Sequence, residues 1–93
     1  MSRTKPLPKT ELGRLIRATR ESLGLTLTAF AKQLGVTHPN ICHWEAGRVR
    51  PPMLKALNMG ALAQGELRKE WVEMLRARLR SESLRAFMAE VAE

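Results

Sequence analysis

Four side chains able to bond to metals or base edges, or to act in catalysis, fall within six residues: His38, Asn40, Cys42 and His43, in the run His38-Pro39-Asn40-Ile41-Cys42-His43. A metal site could use His38 and Cys42, which are four apart and share a helical face, but no fourth ligand or second Cys-His cluster is at hand. A nucleophilic Cys42–His43 pair fails on geometry, since adjacent helical residues point apart, and no carboxylate is placed to orient the histidine. No acid pair or phosphate loop occurs either, so neither an enzyme nor a metal or other cofactor is expected. What fits is hydrogen bonding to another molecule's edges. His38, Pro39, Asn40, Cys42 and His43 are small or hydrogen-bonding and carry little charge, which suits reading bases better than gripping phosphate. Neutral imidazole can accept and protonated imidazole donates from both nitrogens, while Pro39 offers apolar contact, for example to a thymine methyl. The set lacks Arg, Lys and Gln, so the familiar bidentate readings of G and A are missing. Base preference then leans on Asn40, water bridges and DNA shape.

These residues need a helix that turns them outward. Residues 24–47 supply one. Thr26 is placed to cap a helix over 26–34, with Leu27, Phe30, Ala31 and Leu34 at inward spacing. Gly35 stops it, because glycine reaches the left-handed conformation that a helix end needs. Val36 bridges the turn, Thr37 is placed to cap the next helix, and Pro39 falls in its first turn, where no amide partner is lost. Ile41 and Trp44 point inward, and Gly47 ends the second helix. Two short helices around a glycine turn form either a unit that lays a helix in the major groove or an ordinary helical hairpin inside an all-α bundle.

The stretch resembles the helix-turn-helix of the phage repressor and Cro-like family. The resemblance rests on Gly24-Leu25-Thr26, Phe30-Ala31, Leu34-Gly35-Val36-Thr37, Ile41, Trp44-Glu45 and Gly47, with Ile16-Arg17 and Arg20 upstream and Pro51 downstream. It covers roughly residues 12–62. It implies an all-α, lambda-repressor-like five-helix DNA-binding domain, here with a C-terminal amphipathic helical extension. By resemblance, base contacts fall on His38, Pro39 and His43, with Asn40 and Cys42 as neighbours. It also implies that Arg20 pairs with Glu45, tying the first helix to the recognition helix and leaving the guanidinium near a phosphate. Where the family often has glutamine after Thr26, this chain has Leu27, which cannot touch the backbone. The helix N-terminus still offers its amides, with hydroxyls from Thr26 and Thr28. Thr37, Arg48 and Arg50 complete the expected backbone contacts.

Charge placement agrees with a polyanionic partner. The chain of 93 residues carries a formal +7. Residues 1–55 hold ten Lys or Arg against three acids, and residues 56–93 hold six of each. The surplus therefore lies in the half with the helix-turn-helix. One cysteine permits no intramolecular disulfide, no apolar run is long enough for a membrane span and no signal peptide is apparent, so a cytoplasmic protein is expected. Tyr is absent, while Ala, Leu, Arg and Glu abound, which favours helix. A chain this short buries a modest core, and dimerisation would add to it.

Three segments are expected. Residues 1–10 are a basic flexible arm kept extended by Pro6 and Pro8, with Arg3, Lys5 and Lys9 available to DNA. Residues 11–65 are the DNA-binding domain. Its first helix, about 11–22, starts at Thr10, turns Leu12, Leu15 and Ile16 inward, and carries Arg14, Arg17 and Arg20 as a solvated stripe. Its last, roughly 52–64, has an apolar face of Met53, Leu54, Leu57 and Ala61, a Gly60 that allows bending or close packing, and a stop at Gly65. Residues 66–93 are a helical extension with two stripes out of phase. Leu67, Trp71, Met74, Leu75 and Leu79 form the first, and Leu84, Phe87, Met88 and Val91 the second. Ser81-Glu82-Ser83 lies between them, so the extension is either two helices or one helix turning a different face outward. Trp71, Leu75, Leu84, Phe87, Met88 and Val91 are the candidate dimer interface, although residues 66–80 could equally complete the domain's own core. The expected function is a dimeric, sequence-specific repressor on double-stranded DNA with a palindromic operator, and the family resemblance implies autoregulation. The rival is an antitoxin-like module binding another protein through the C-terminal helix.

Overall fold

The computed structural model describes residues 10–91, and the arm with Arg3, Lys5 and Lys9 lies outside them. Five α-helices follow in order: α1 Glu11–Ser22, α2 Leu27–Leu34, α3 His38–Ala46, α4 Met53–Leu62 and α5 Gly65–Val91. No strand occurs among the described residues, so the fold is all-α.

Local chemistry sets the helix ends. The Thr10 hydroxyl accepts from the Gly13 amide at 2.8 Å, and the Thr26 hydroxyl from the Ala29 amide at 3.1 Å. Gly35 (φ +72°) and Gly47 (φ +79°) end α2 and α3 in the left-handed conformation. After each, the next amide reaches back to close the last turn, Val36 to the Ala31 carbonyl at 2.9 Å and Arg48 to that of His43 at 3.0 Å. Thr37 departs from expectation. It occupies the cap position of α3 but makes no side-chain capping bond. Pro39 has no amide to give, and the Asn40 amide is taken by the Thr37 carbonyl at 3.1 Å.

The core draws on all five helices. Leu15 and Ile16 of α1 meet Phe30, Ala31 and Leu34 of α2, Ile41 and Trp44 of α3, Ala56 and Met59 of α4, Ala63 of the α4–α5 connection, and Trp71 of α5. Trp71 is fully buried, and its indole N–H donates to the Thr19 hydroxyl at 2.8 Å. That hydroxyl in turn donates to the Leu15 carbonyl at 2.8 Å. A buried Trp thus finds its polar partner inside the same subunit, and the first turns of α5 belong to the body of the molecule.

Two sequence expectations are corrected here. The buried side of α4 is Ala56, Met59 and Gly60, while Leu54, Leu57 and Ala61 are exposed. Small residues face α5 because Trp71 and Leu75 crowd that interface: a β-carbon on Gly60 would stand 3.3 Å from Leu75 Cδ1 and 3.4 Å from Trp71 Cβ. Gly60 thus serves close packing. Gly65, expected as a stop, has φ +61° and opens α5, since α4 has already ended at Leu62. Nor does α5 break at Ser81-Glu82-Ser83. Arg78 Nε donates to Glu82 Oε2 at 3.0 Å, an i,i+4 pair that spans the segment.

Candidate nucleic-acid interface

The local rules that build α3 also decide which of its faces is free. Ile41, Trp44 and Glu45 are buried against the body. His38, Pro39, Asn40 and His43 are exposed, and Cys42 is half-buried. The five residues read as one outward set therefore share one surface, with Cys42 Sγ 3.9 Å from both ring nitrogens of His38. That pair has no companions: among the described residues no group of three or more His, Cys, Asp or Glu side chains could hold a metal.

Glu45 is fixed from beneath by α1. Arg20 Nε donates to Glu45 Oε2 at 2.6 Å and Arg20 Nη2 to Glu45 Oε1 at 3.3 Å, while Nη1 donates to the Leu25 carbonyl at 3.1 Å. The Arg20 side chain is only 13% exposed and that of Glu45 8%. The hydrogen bond to Glu45, above all, holds the Arg20 guanidinium above its ordinary pKa, against the opposing effect of burial. With three nitrogens engaged inside the subunit, Arg20 presents little to an outside phosphate.

The arginine stripe of α1 is not merely solvated. Arg17 Nε also faces Glu45, 3.6 Å from Oε1, and is itself buried. Arg14 reaches the other way, bonding Glu70 of α5 at 2.9 Å and Glu11 at 3.0 Å. So Arg14 links α1 to α5, while Arg17 and Arg20 link it to α3. The Arg20–Glu45 pair is the one that the resemblance implied. The links of Arg14 to Glu70 and Arg17 to Glu45, like Thr19 under Trp71, join positions remote in sequence, and no local pattern announces them. Lys55 is a further case. Its ammonium donates to the Leu34 carbonyl at 2.9 Å, satisfying the C-terminal end of α2 and adding a cation where the helix dipole favours one.

Around the exposed face of α3, Thr26, Thr28 and Thr37 are exposed at the starts of α2 and α3. The Thr37 hydroxyl, free of capping, has both its donor and its acceptors available. Arg48 and Arg50 are exposed on the loop after α3. Arg50 also lines a groove beside α5 with Arg78. The surface thus offers hydroxyls and guanidinium groups around a nearly uncharged centre, an arrangement suited to phosphate contacts surrounding base contacts.

Of the residues expected at a dimer face, Trp71 is in the core and Leu75 is half-buried beside it. A side chain with no exposure has nothing to offer a second copy, so Trp71 leaves that set. Leu84, Phe87 and Met88 are exposed on the distal part of α5. The side chain of Val91 lies outside the described residues. No described helix is long and apolar enough to cross a membrane.

A family model described as a helix-turn-helix domain matches residues 11–71, more than half of the chain and the same span as the body just described. No curated protein and no solved structure matches the chain.

Proposed function

We propose that this chain, which belongs to the helix-turn-helix domain family, is a sequence-specific regulator of the phage repressor and Cro-like type acting on double-stranded DNA. The observation that carries the reading is the exposed face of α3, with His38, Pro39, Asn40 and His43 outward and its other face buried. In the proposed complex α3 enters the major groove, and Thr26, Thr28, Thr37, Arg48 and Arg50 approach phosphates. Arg20 acts mainly by holding Glu45 and so the tilt of α3. The role is binding rather than catalysis, and a cytoplasmic location goes with it.

A homodimer fits the second half of α5. Phe87 follows Trp71 by 16 positions, which places it about 160° around the helix axis at roughly 100° per residue. Leu84, 13 positions on, falls at about 220° and Met88, 17 on, at about 260°, so Leu84 lies between Phe87 and Met88 on one broad stripe. The continuous helix that buries Trp71 therefore turns Leu84 and Phe87 away from the face that packs on its own body. A second copy supplies the missing cover, by the pairing of amphipathic helices. Two subunits related by a two-fold axis predict a palindromic operator with half-sites about 34 Å apart. Repression by promoter occlusion, with the chain's own operon among the targets, is the regulatory form proposed. The same stripe also favours a second reading, in which it engages a different protein in the manner of an antitoxin.

Selection of bound duplexes from a random pool tests the proposal. Enrichment of a symmetric site, with affinity falling steeply as salt rises, is the expected result. A pool that stays unenriched, or binding indifferent to salt, would overturn it.

A further inference from the structure

Two apolar faces of the subunit have no cover of their own. The first is the outer side of α4. Leu54 is 64% exposed and Leu57 44%, and exposed Ala61 follows Leu57 by four residues on the same side. Ala56, Met59 and Gly60, on the opposite side, hold the helix to the body. Two outward leucines on a ten-residue helix leave apolar area in water that a partner's cover would remove. The second face is on distal α5, where Leu84, Phe87 and Met88 are each more than half exposed. Their exposure, with that of Leu54 and Leu57, shows that neither face covers the other within one subunit.

The two faces match in length and in charge. From Leu54 to Ala61, and from Leu84 to the helix end at Val91, each advances seven residues, about 10 Å. Lys55 is the only charged residue of α4, and its ammonium is turned to the Leu34 carbonyl. The outer side of α4 therefore offers leucines and no ion pair, which suits an apolar stripe rather than a charged partner.

On the homodimer reading, we propose that these faces cover each other across the two-fold axis, with distal α5 of each subunit lying on α4 of its partner. Leu84, Phe87 and Met88 of one copy pack on Leu54, Leu57 and Ala61 of the other. The two-fold axis makes this contact twice, since each copy receives what it gives. The doubling matters, because a specific interface takes about 20 residues a side. Pairing α5 only with α5 would use one short stripe per subunit and leave α4 bare.

Sedimentation velocity of the full chain, without DNA, tests the crossing. Leu54→Glu should raise the dimer dissociation constant at least about tenfold, as Phe87→Glu should, because either puts a charge into an apolar contact. Both positions are exposed in the single subunit, so the helical circular dichroism should be retained. Each variant alone spoils both contacts of its homodimer. An equimolar mixture restores one, where the intact α5 of the Leu54→Glu chain meets the intact α4 of the Phe87→Glu chain. The mixture should therefore associate more tightly than either variant alone. Wild-type affinity in Leu54→Glu beside a monomeric Phe87→Glu would overturn the crossing and leave an α5–α5 dimer standing. Two weakened variants with no gain on mixing would overturn it as well. A monomeric wild-type chain would overturn the homodimer reading itself, and the crossing with it.

Discussion

The main-chain oxygen of Glu45 occupies the space that a β-carbon on Gly13 would need. α1 and α3 therefore meet backbone to backbone, and this close crossing is what brings Arg17 and Arg20 within reach of the Glu45 carboxylate. Ala is ordinarily the better helix former, by about 1 kcal/mol. Here Gly13→Ala should reverse that sign and destabilise by about 2 kcal/mol, because neither backbone can yield. Urea denaturation measures it, and a stabilised variant would mean that the helices cross more loosely.

Glu45→Ala should cost about 3 kcal/mol, since it strands two arginines against a part-buried surface. Arg17→Ala should cost much less, because its Nε stands 3.6 Å from the carboxylate without a hydrogen bond. Near-equal losses in the two variants would show that Arg20 is not the dominant partner. The arginine's side of this pairing is insensitive to pH around neutrality. A raised folded-state pKa means stability that is complete below the unfolded value and is lost only as pH rises through the folded one, far on the alkaline side.

Thr19→Val keeps the shape of the core but leaves the Trp71 indole N–H without its acceptor. A loss of about 2 kcal/mol is expected. Trp71→Phe in the same background should then cost less than it does alone, apart from the volume removed. A double-mutant cycle by thermal or urea unfolding checks the coupling, and strict additivity would dissolve the claimed link.

His43→Ala and Arg48→Ala should separate the two kinds of DNA contact. The histidine change should alter which sequences are preferred. The arginine change should weaken all of them alike and reduce the salt slope by about 1. Fluorescence anisotropy on selected and scrambled duplexes decides, and identical behaviour of the two variants would refute the assigned roles.

Truncation after Arg80 should shift the chain from dimer to monomer in sedimentation velocity. Phe87→Glu should do the same with every other residue retained. Phe87 is 58% exposed in the subunit, so its replacement should leave the helical content intact. An unchanged mass in both variants would remove the distal helix from self-association.

The sequence alone determined the local structure. Caps at Thr10 and Thr26, stops at Gly35 and Gly47, and the outward face of α3 all follow from residues within a few positions of one another, and short-range backbone chemistry dictates them. The tertiary structure decided whatever depends on which residue is large across a contact. α4 buries Ala56 and Gly60 rather than Leu54 and Leu57, because Trp71 fills the space, and nothing near Gly60 in sequence says so. Trp71 could belong to a core or to an interface by pattern alone, and its hydrogen bond to Thr19, 52 residues earlier, placed it in the core. The Thr37 cap failed for a local reason: the amide three residues on, that of Asn40, goes to the Thr37 carbonyl, and Pro39 has none to offer in its place. α5 runs unbroken through Ser81-Glu82-Ser83, a segment whose propensity left the matter open, and the Arg78–Glu82 bond adds local support there. Periodicity reports only that a face is apolar, and packing against distant residues chooses what covers it.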